Sequence, residues 1–265
     1  RSVVVRGNKI YVATGAGLCV GDKTQGSNVK FERFTTDNGL VSNSLFCVFI
    51  DENNTIYTAH EGGISISKDD CKTFTKCTVE NGLGSPWVRK VVAYKGKIYA
   101  ATYGGFSISE DGGKTFKNFT KNEGVGQGSL YVNWVYDVFV NDTGVYIATS
   151  WGGLSFKKHN ENNWTTFTQS ANSLGSDYIN KVFVDSYWII YVGTGLSGVS
   201  YSVDGGKKFK SLTESNYYLG QDKITDIYVD ENTLYVSTFK GVSVLKIDRK
   251  KKFVDMSHGF KYSKD

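Results

Sequence analysis

The sequence predicts an all-β chain folded as a single β-propeller of six four-stranded blades. Three observations carry that expectation. A short Tyr-centred strand recurs six times, a glycine turn follows it, and no segment between the copies has helical periodicity. The strand reads Ile10-Tyr11-Val12-Ala13-Thr14, Ile56-Tyr57-Thr58-Ala59-His60, Ile98-Tyr99-Ala100-Ala101-Thr102, Val145-Tyr146-Ile147-Ala148-Thr149, Ile190-Tyr191-Val192-Gly193-Thr194 and Leu234-Tyr235-Val236-Ser237-Thr238. Its tyrosines step by 46, 42, 47, 45 and 44 residues, a propeller-blade period and longer than a solenoid coil. A two-sheet sandwich needs no such register. The repeats fall at about 1–37, 38–80, 81–121, 122–170, 171–214 and 215–256 of one domain spanning 1–265, with 257–265 as a C-terminal tail.

Around each Tyr strand the same unit recurs. An apolar strand precedes it, as in Val91-Val92-Ala93 or Val182-Phe183-Val184. A polar turn joins the two, such as Asp51-Glu52-Asn53-Asn54, Lys95-Gly96 or Asp230-Glu231-Asn232. After the glycine turn comes a third strand, Ile64-Ser65-Ile66-Ser67 or Phe106-Ser107-Ile108-Ser109. The fourth carries Lys-Thr-Phe and ends in Phe-Thr, as at Thr115–Thr120. Thirty glycines, 17 Tyr, 16 Phe and a single proline, Pro86, suit short, tightly turned strands. A hydrophobic content of 40% argues against disorder.

Composition also narrows the function. The net charge of +5 is mild, and only five of the 31 basic residues are Arg, so no nucleic-acid partner is expected. The densest run, Arg249-Lys250-Lys251-Lys252, reads as a solvated hairpin turn. With no stretch of 18 apolar residues, membrane insertion by a helix is not expected. The chain opens on Arg1 and enters a strand-like run at once. That is the pattern of a mature or excised chain, and an extracellular or periplasmic location is expected. Cys19, Cys47, Cys71 and Cys77 have no C-x-x-C spacing and only three His to assist them, so neither a zinc site nor another metal or cofactor is expected. Cys71 and Cys77 are close enough in sequence to close a small loop, which leaves the redox compartment open. The sequons at Asn53, Asn118, Asn141 and Asn163 follow from an Asn- and Thr-rich composition.

Three hairpins between third and fourth strands share a pattern. They are Ser109-Glu110-Asp111-Gly112-Gly113-Lys114-Thr115-Phe116, Ser202-Val203-Asp204-Gly205-Gly206-Lys207-Lys208-Phe209 and Ser67-Lys68-Asp69-Asp70-Cys71-Lys72-Thr73-Phe74. The pattern resembles the Asp-box (BNR repeat) of sialidases, sortilin-type receptors and many bacterial propellers. Physically, the Asp accepts backbone N–H bonds within its own turn, glycine supplies a positive φ, and the aromatic packs beneath. The hairpin at Asp69 departs from it at Cys71, and the repeats around Asp22, His159 and Asp248 lack it. Asn38-Gly39-Leu40-Val41-Ser42-Asn43 leading to Asp51 and Ile56-Tyr57, with Asn81-Gly82-Leu83-Gly84-Ser85, resembles the propeller repeats of bacterial two-component regulators. Those usually carry Trp where this chain has Tyr. Both resemblances imply a fold and no particular function.

In a propeller, the turns between second and third strands and the connections between blades share one face. The six copies differ most there. The turns carry Gly15, Glu61, Tyr103, Trp151, Leu196 and Lys240, with His60 and Phe239 beside them. The connections add Trp87, Arg89, Tyr131, Trp134, Tyr178, Tyr217, Tyr218 and Lys223. Aromatics with a few charges suit a peptide, a protein partner or a sugar. The alternative use of Trp87 and Trp134 is to cap the core between blades. Tyr103 and Trp151 are expected to be the most exposed, Trp164 and Trp188 to be packing residues. Catalysis finds little support. A sialidase needs three arginines on one carboxylate, and only Arg89 falls on this face. Asp137 and Asp226 match in register, but Cys47, Lys90 and Lys181 share that register and mix the charges. The expectation is a non-catalytic binding or scaffold domain that presents its variable face to a protein partner or larger assembly. The alternative is a propeller that binds or cleaves carbohydrate.

Overall fold

A computed structural model describes residues 1–120, 133–161, 163–217, 219–248 and 253–255. Six four-stranded antiparallel sheets follow one another along the chain. The first is β1 (Ser2–Arg6), β2 (Lys9–Thr14), β3 (Gly17–Asp22) and β4 (Phe31–Phe34). The second is β5 (Leu45–Ile50), β6 (Ile56–His60), β7 (Ile64–Ser67) and β8 (Thr75–Cys77), and the third β9 (Val88–Tyr94), β10 (Lys97–Thr102), β11 (Gly105–Ser109) and β12 (Lys117–Phe119). The fourth is β13 (Val135–Val140), β14 (Gly144–Thr149), β15 (Leu154–Lys158) and β16 (Thr165–Phe167). β17 (Ile179–Val184), β18 (Ile190–Thr194), β19 (Val199–Ser202) and β20 (Lys210–Leu212) form the fifth. β21 (Ile224–Asp230), β22 (Thr233–Thr238), β23 (Gly241–Asp248) and β24 (Phe253–Asp255) form the sixth. The protein is an all-β six-bladed propeller, and every Tyr strand is the second strand of its blade. The described helices are single turns, among them α1 (Gln169–Asn172) and α2 (Glu214–Tyr217).

The recurring residues turn out to be fastenings. Asp51 accepts the backbone N–H groups of Asn53 and Thr55, and also the hydroxyl of Tyr57 at 3.1 Å. Asp185 does the same for Tyr187, Ile189 and Tyr191. In these two blades the Tyr strand and the polar turn before it are therefore one device. Burial, with the Asp51 carboxylate, pushes the Tyr57 hydroxyl up to about 12. The Thr that ends the Tyr strand closes the next turn. Its hydroxyl donates to the glycine carbonyl opening the third strand in five blades, from Thr14 to Gly17, Thr102 to Gly105, Thr149 to Gly153, Thr194 to Gly198 and Thr238 to Gly241. The Asn-Gly-Leu connections are capping-box turns closed by Gly39 and Gly82 with positive φ, and they bury Leu40 and Leu83. The next residue's N–H is taken by a buried third-strand serine, Val41 by Ser65, Gly84 by Ser107, Gly175 by Ser200 and Gly220 by Ser243.

The Asp-containing hairpins have the expected internal bonds. Asp111 accepts from the Ser109 hydroxyl, the Thr115 N–H and the Thr115 hydroxyl, while Ser109 accepts from the Gly113 N–H. Asp69 repeats this with Ser67, Thr73 and Cys71. At Asp204 the Ser202, Gly206 and Lys208 backbone bonds remain, but Lys208 has no hydroxyl to give. These bonds hold the carboxyls of Asp69 and Asp111 low, Asp69 at about 2, by stabilising the charged form. Asp70 and Cys71 adopt φ of 61° and 69° where the other two hairpins have paired glycines.

By contact the chain divides into two compact units, one built from Arg1–Glu123 with Asn133–Asn141, the other running from Asp142. In the first, apolar side chains fill the space between consecutive sheets. Tyr11, Leu18, Leu40, Leu45, Ile56 and Cys71 form one cluster, and Tyr57, Ile64, Cys77, Val88, Ile98 and Phe116 another. In the second unit Tyr191, Tyr201, Leu212, Ile224, Leu234 and Leu245 do the same. Cys71 and Cys77 lie in different clusters, so the small loop they could have closed does not form. All four thiols are free. Burial pushes Cys71 and Cys77 up to about 12 and about 11.

Candidate functional site

The most elaborate surface feature lies in the first unit and is built by the first strands of its blades. In β5 and β9 the ladder to the Tyr strand skips one residue near the strand start. Leu45 pairs with His60 and Cys47 with Ala59, while Val88 pairs with Thr102 and Lys90 with Ala101. Phe46 and Arg89 are the extra residues, and such bulges re-aim a side chain out of the alternating pattern. Tyr136 is the second residue of β13, the same place in its blade. The residues just before these strands are Trp87 and Trp134. Tyr103 closes the group from the turn after β10, where its N–H donates to the Trp87 carbonyl at 3.1 Å.

These side chains form a continuous shelf. Phe46 and Trp87 have ring centroids 6.2 Å apart, Trp87 and Tyr103 stack at 6.0 Å with planes 7° apart, and Tyr103 meets Trp134 at 5.6 Å. Tyr136 stands edge-on to Tyr103 at 5.9 Å. The Arg89 guanidinium lies over three of the rings, 4.6 Å from Phe46, 5.8 Å from Tyr136 and 6.0 Å from Tyr103. Arg1 also lies over Phe46, held by the Ser44 hydroxyl and the Leu45 carbonyl. The tight turn that brings Tyr103 onto Trp87 requires glycine. A Cβ on Gly104 would sit 1.8 Å from the Gly84 carbonyl oxygen.

The expected exposures are redistributed. Trp87 and Trp134 are 42% and 48% exposed and do not cap the core, whereas Tyr103 is half-buried between them. Trp164 is buried as expected, but Trp188 is 51% exposed because it sits at φ 64° on the tip of the turn clamped by Asp185. His60 is fully buried. Its Nδ1–H donates to the Ser42 carbonyl and its Nε2 accepts from the Thr58 hydroxyl, each at 2.7 Å. It stands where five blades have the turn-closing Thr, so it is a fastening and offers nothing to a ligand. Burial lowers its pKa to about 4. Glu61, beside it, is half-buried and donates its N–H to the Ser44 carbonyl.

The second unit carries smaller features. Trp151 is exposed and stacks on Tyr178 at 5.2 Å, and Tyr178 lies flat against Gly195, whose Cβ would come within 2.1 Å of the ring. Phe239, 72% exposed, has the Lys223 ammonium 5.1 Å above its ring. Lys240 pairs with Glu214 at 3.6 Å. Asp226 is paired with Lys181 at 3.0 Å, so a charge of the shared register is neutralised locally. Asp137, in the first unit, is buried on β13. Tyr131, Tyr218, the Arg249–Lys252 run and the 257–265 tail lie outside the described residues, as does the side chain of Tyr217.

Sequence reasoning missed Phe46 and Tyr136. Their signal was present, since both occupy the register of Arg89, where the blades carry Arg1, Phe46, Arg89, Tyr136, Asn180 and Thr225.

Neither a described protein family nor a curated protein matches the chain. Solved structures do. One is the extracellular domain of a B. thetaiotaomicron protein assigned as a hybrid two component system, 16% identical with a TM-score of 0.75 over 97% of this chain and 36% of that one. A second such domain from the same organism is 21% identical, with a TM-score of 0.71 over 89% of this chain and 32% of that one. An ancestral GH74 enzyme is 15% identical, with a TM-score of 0.71 over 97% and 37%. The chain thus spans about a third of the length of each. At these identities the likeness shows the fold.

Proposed function

We propose that the chain is a non-catalytic binding domain whose working surface is the shelf of Phe46, Trp87, Arg89, Tyr103, Trp134 and Tyr136, and that it receives a protein partner, in some cases as part of a larger assembly. The observation that carries this is the exposure of Trp87 and Trp134, each packed on Tyr103, at the variable end of the blades. Large aromatics left in water at one place are what interface anchors look like before the partner arrives. The Asp-containing hairpins, which we read as Asp-boxes, serve the fold. The similarity to extracellular sensor domains supports a location outside the cytoplasm, and no described helix is long and apolar enough to cross a membrane.

The stacked rings and the GH74 neighbour favour a second reading, a surface for carbohydrate. The test is capture of the native partner by the wild type and by Trp87→Ala and Trp134→Ala, with a glycan array run in parallel. Loss of capture in both variants, with the fold intact, supports the shelf. Unchanged capture removes it, and array signals that vanish in the variants transfer it to a sugar.

A further inference from the structure

We propose that Arg89 is the receptor for a carboxylate on an extended peptide segment of the partner, the apolar neighbours of that carboxylate packing on Trp87 and Trp134. This rests on the shelf being the working surface and names what it takes. Three observations converge on it. First, no hydrogen bond or ion pair reaches the Arg89 guanidinium among the described residues, although it is half-buried. Arginine carries five donors in a planar fork, and withdrawing them from water without a partner is unfavourable. Three aromatic faces hold the fork at 4.6–6.0 Å and compensate for part of that loss. They also restrict its rotation, so little order remains to be imposed when an anion arrives.

Second, the bulge in β9 that frees Arg89 from the strand alternation has its counterpart at Phe46 in β5. The site is thus built on sheet backbone, and Gly104 lets the turn that carries Tyr103 pack against the backbone at Gly84. Third, the polar groups of the shelf are mostly donors. Guanidinium and indole N–H groups only donate, and the phenol of Tyr103 can donate or accept. A carboxylate needs donors alone, while a sugar's hydroxyls require acceptors too. The surface therefore favours an acidic residue flanked by apolar ones over a polyhydroxyl chain. A bidentate Arg–carboxylate pair beside rings that exclude water is among the stronger polar contacts available to a surface.

The test compares two blocked peptides that differ by one charge, acetyl-Phe-Glu-Phe-amide and acetyl-Phe-Gln-Phe-amide. They are titrated into ¹⁵N-labelled protein while the indole N–H signals of Trp87 and Trp134 and the Nε–H of Arg89 are followed. The expected result is movement of all three signals with the Glu peptide and affinity roughly tenfold or more above that for the Gln peptide. Arg89→Gln abolishes that preference, and Arg89→Lys, which keeps charge without the fork, retains part of it. Equal binding of the two peptides, or a preference that survives in Arg89→Gln, overturns the carboxylate assignment while leaving the aromatic shelf standing. Movement with neither peptide overturns it as well. Glucuronate shifting the same signals where the Glu peptide does not would replace the peptide by an acidic sugar. Partner capture unaffected by Trp87→Ala and Trp134→Ala is a different failure, that of the shelf itself.

Discussion

Mild acid is the perturbation to which His60 should make this protein sensitive. The imidazole is fully buried and neutral. Desolvation lowers its pKa from 6.5 to about 4, with the Ser42 carbonyl on Nδ1–H acting in the opposite direction. An unfolded chain takes up the proton near pH 6.5, and the folded chain withholds it until about pH 4. Stability is therefore full above pH 6.5 and falls as the pH drops from 6.5 towards 4, because the unfolded state binds more protons throughout that window. At 1.36 kcal/mol per pKa unit the whole window is worth about 3 kcal/mol, and about 2 kcal/mol of it is lost between pH 7 and pH 5. The assay is the urea unfolding midpoint at half-unit pH steps for the wild type and for His60→Thr, which restores the residue found at this place in the other five blades. The variant should show a much flatter profile over the same range. A ¹H titration of the His60 ring, identified by its disappearance in the variant, should show no inflection above pH 5. A His60 pKa near 6.5 in the folded protein, or parallel acid loss in wild type and variant, refutes the reasoning.

The Asp-containing hairpins should rank by their bonds. Asp111→Ala should lower the thermal midpoint more than Asp204→Ala, since Thr115 adds a hydroxyl bond that Lys208 cannot make. The contribution of Asp69 should persist above pH 3.8 and fade as the pH falls towards 2. Gly104→Ala should cost about 1–3 kcal/mol through the collision with the Gly84 carbonyl and should alter the near-ultraviolet circular dichroism of the Trp87–Tyr103 stack. Gly96→Ala, at φ 78° with open space around it, should cost only the conformational strain of about 1–2 kcal/mol and leave that spectrum unchanged. With a soluble disulfide reagent at neutral pH, half-buried Cys19 should react first, and Cys71 and Cys77 only on unfolding.

The Tyr strand was legible because its residues serve recurring local contacts, the closing Thr in five blades and the Tyr–Asp bond in two. Tyr57 and Tyr191 reach back to an Asp six positions earlier, and each closing Thr bonds a carbonyl three or four positions later. Contacts of that range leave a pattern within one repeat. His60 shows how the same pattern can be misread. It departs from the repeat, and departure suggested exposure, yet the register that assigns it to the Thr position also assigns it to the interior. Trp188 is the converse. Its place in the polar turn was visible, but whether an aromatic at a turn tip folds inward depends on the backbone, and φ 64° turns it out.

From the sequence by itself came the number of blades and the four-strand order within them, because both follow from the repeat. Only the tertiary structure decided that Phe46, Trp87, Arg89, Tyr103, Trp134 and Tyr136 are one surface. They come from three blades, and two of them are aimed by bulges that appear only once strands are paired. The repeat places Phe46, Arg89 and Tyr136 at one register, but it does not say that their side chains meet. The rings meet because packed sheets set adjacent first strands side by side, and among the described residues they surround the Arg89 guanidinium.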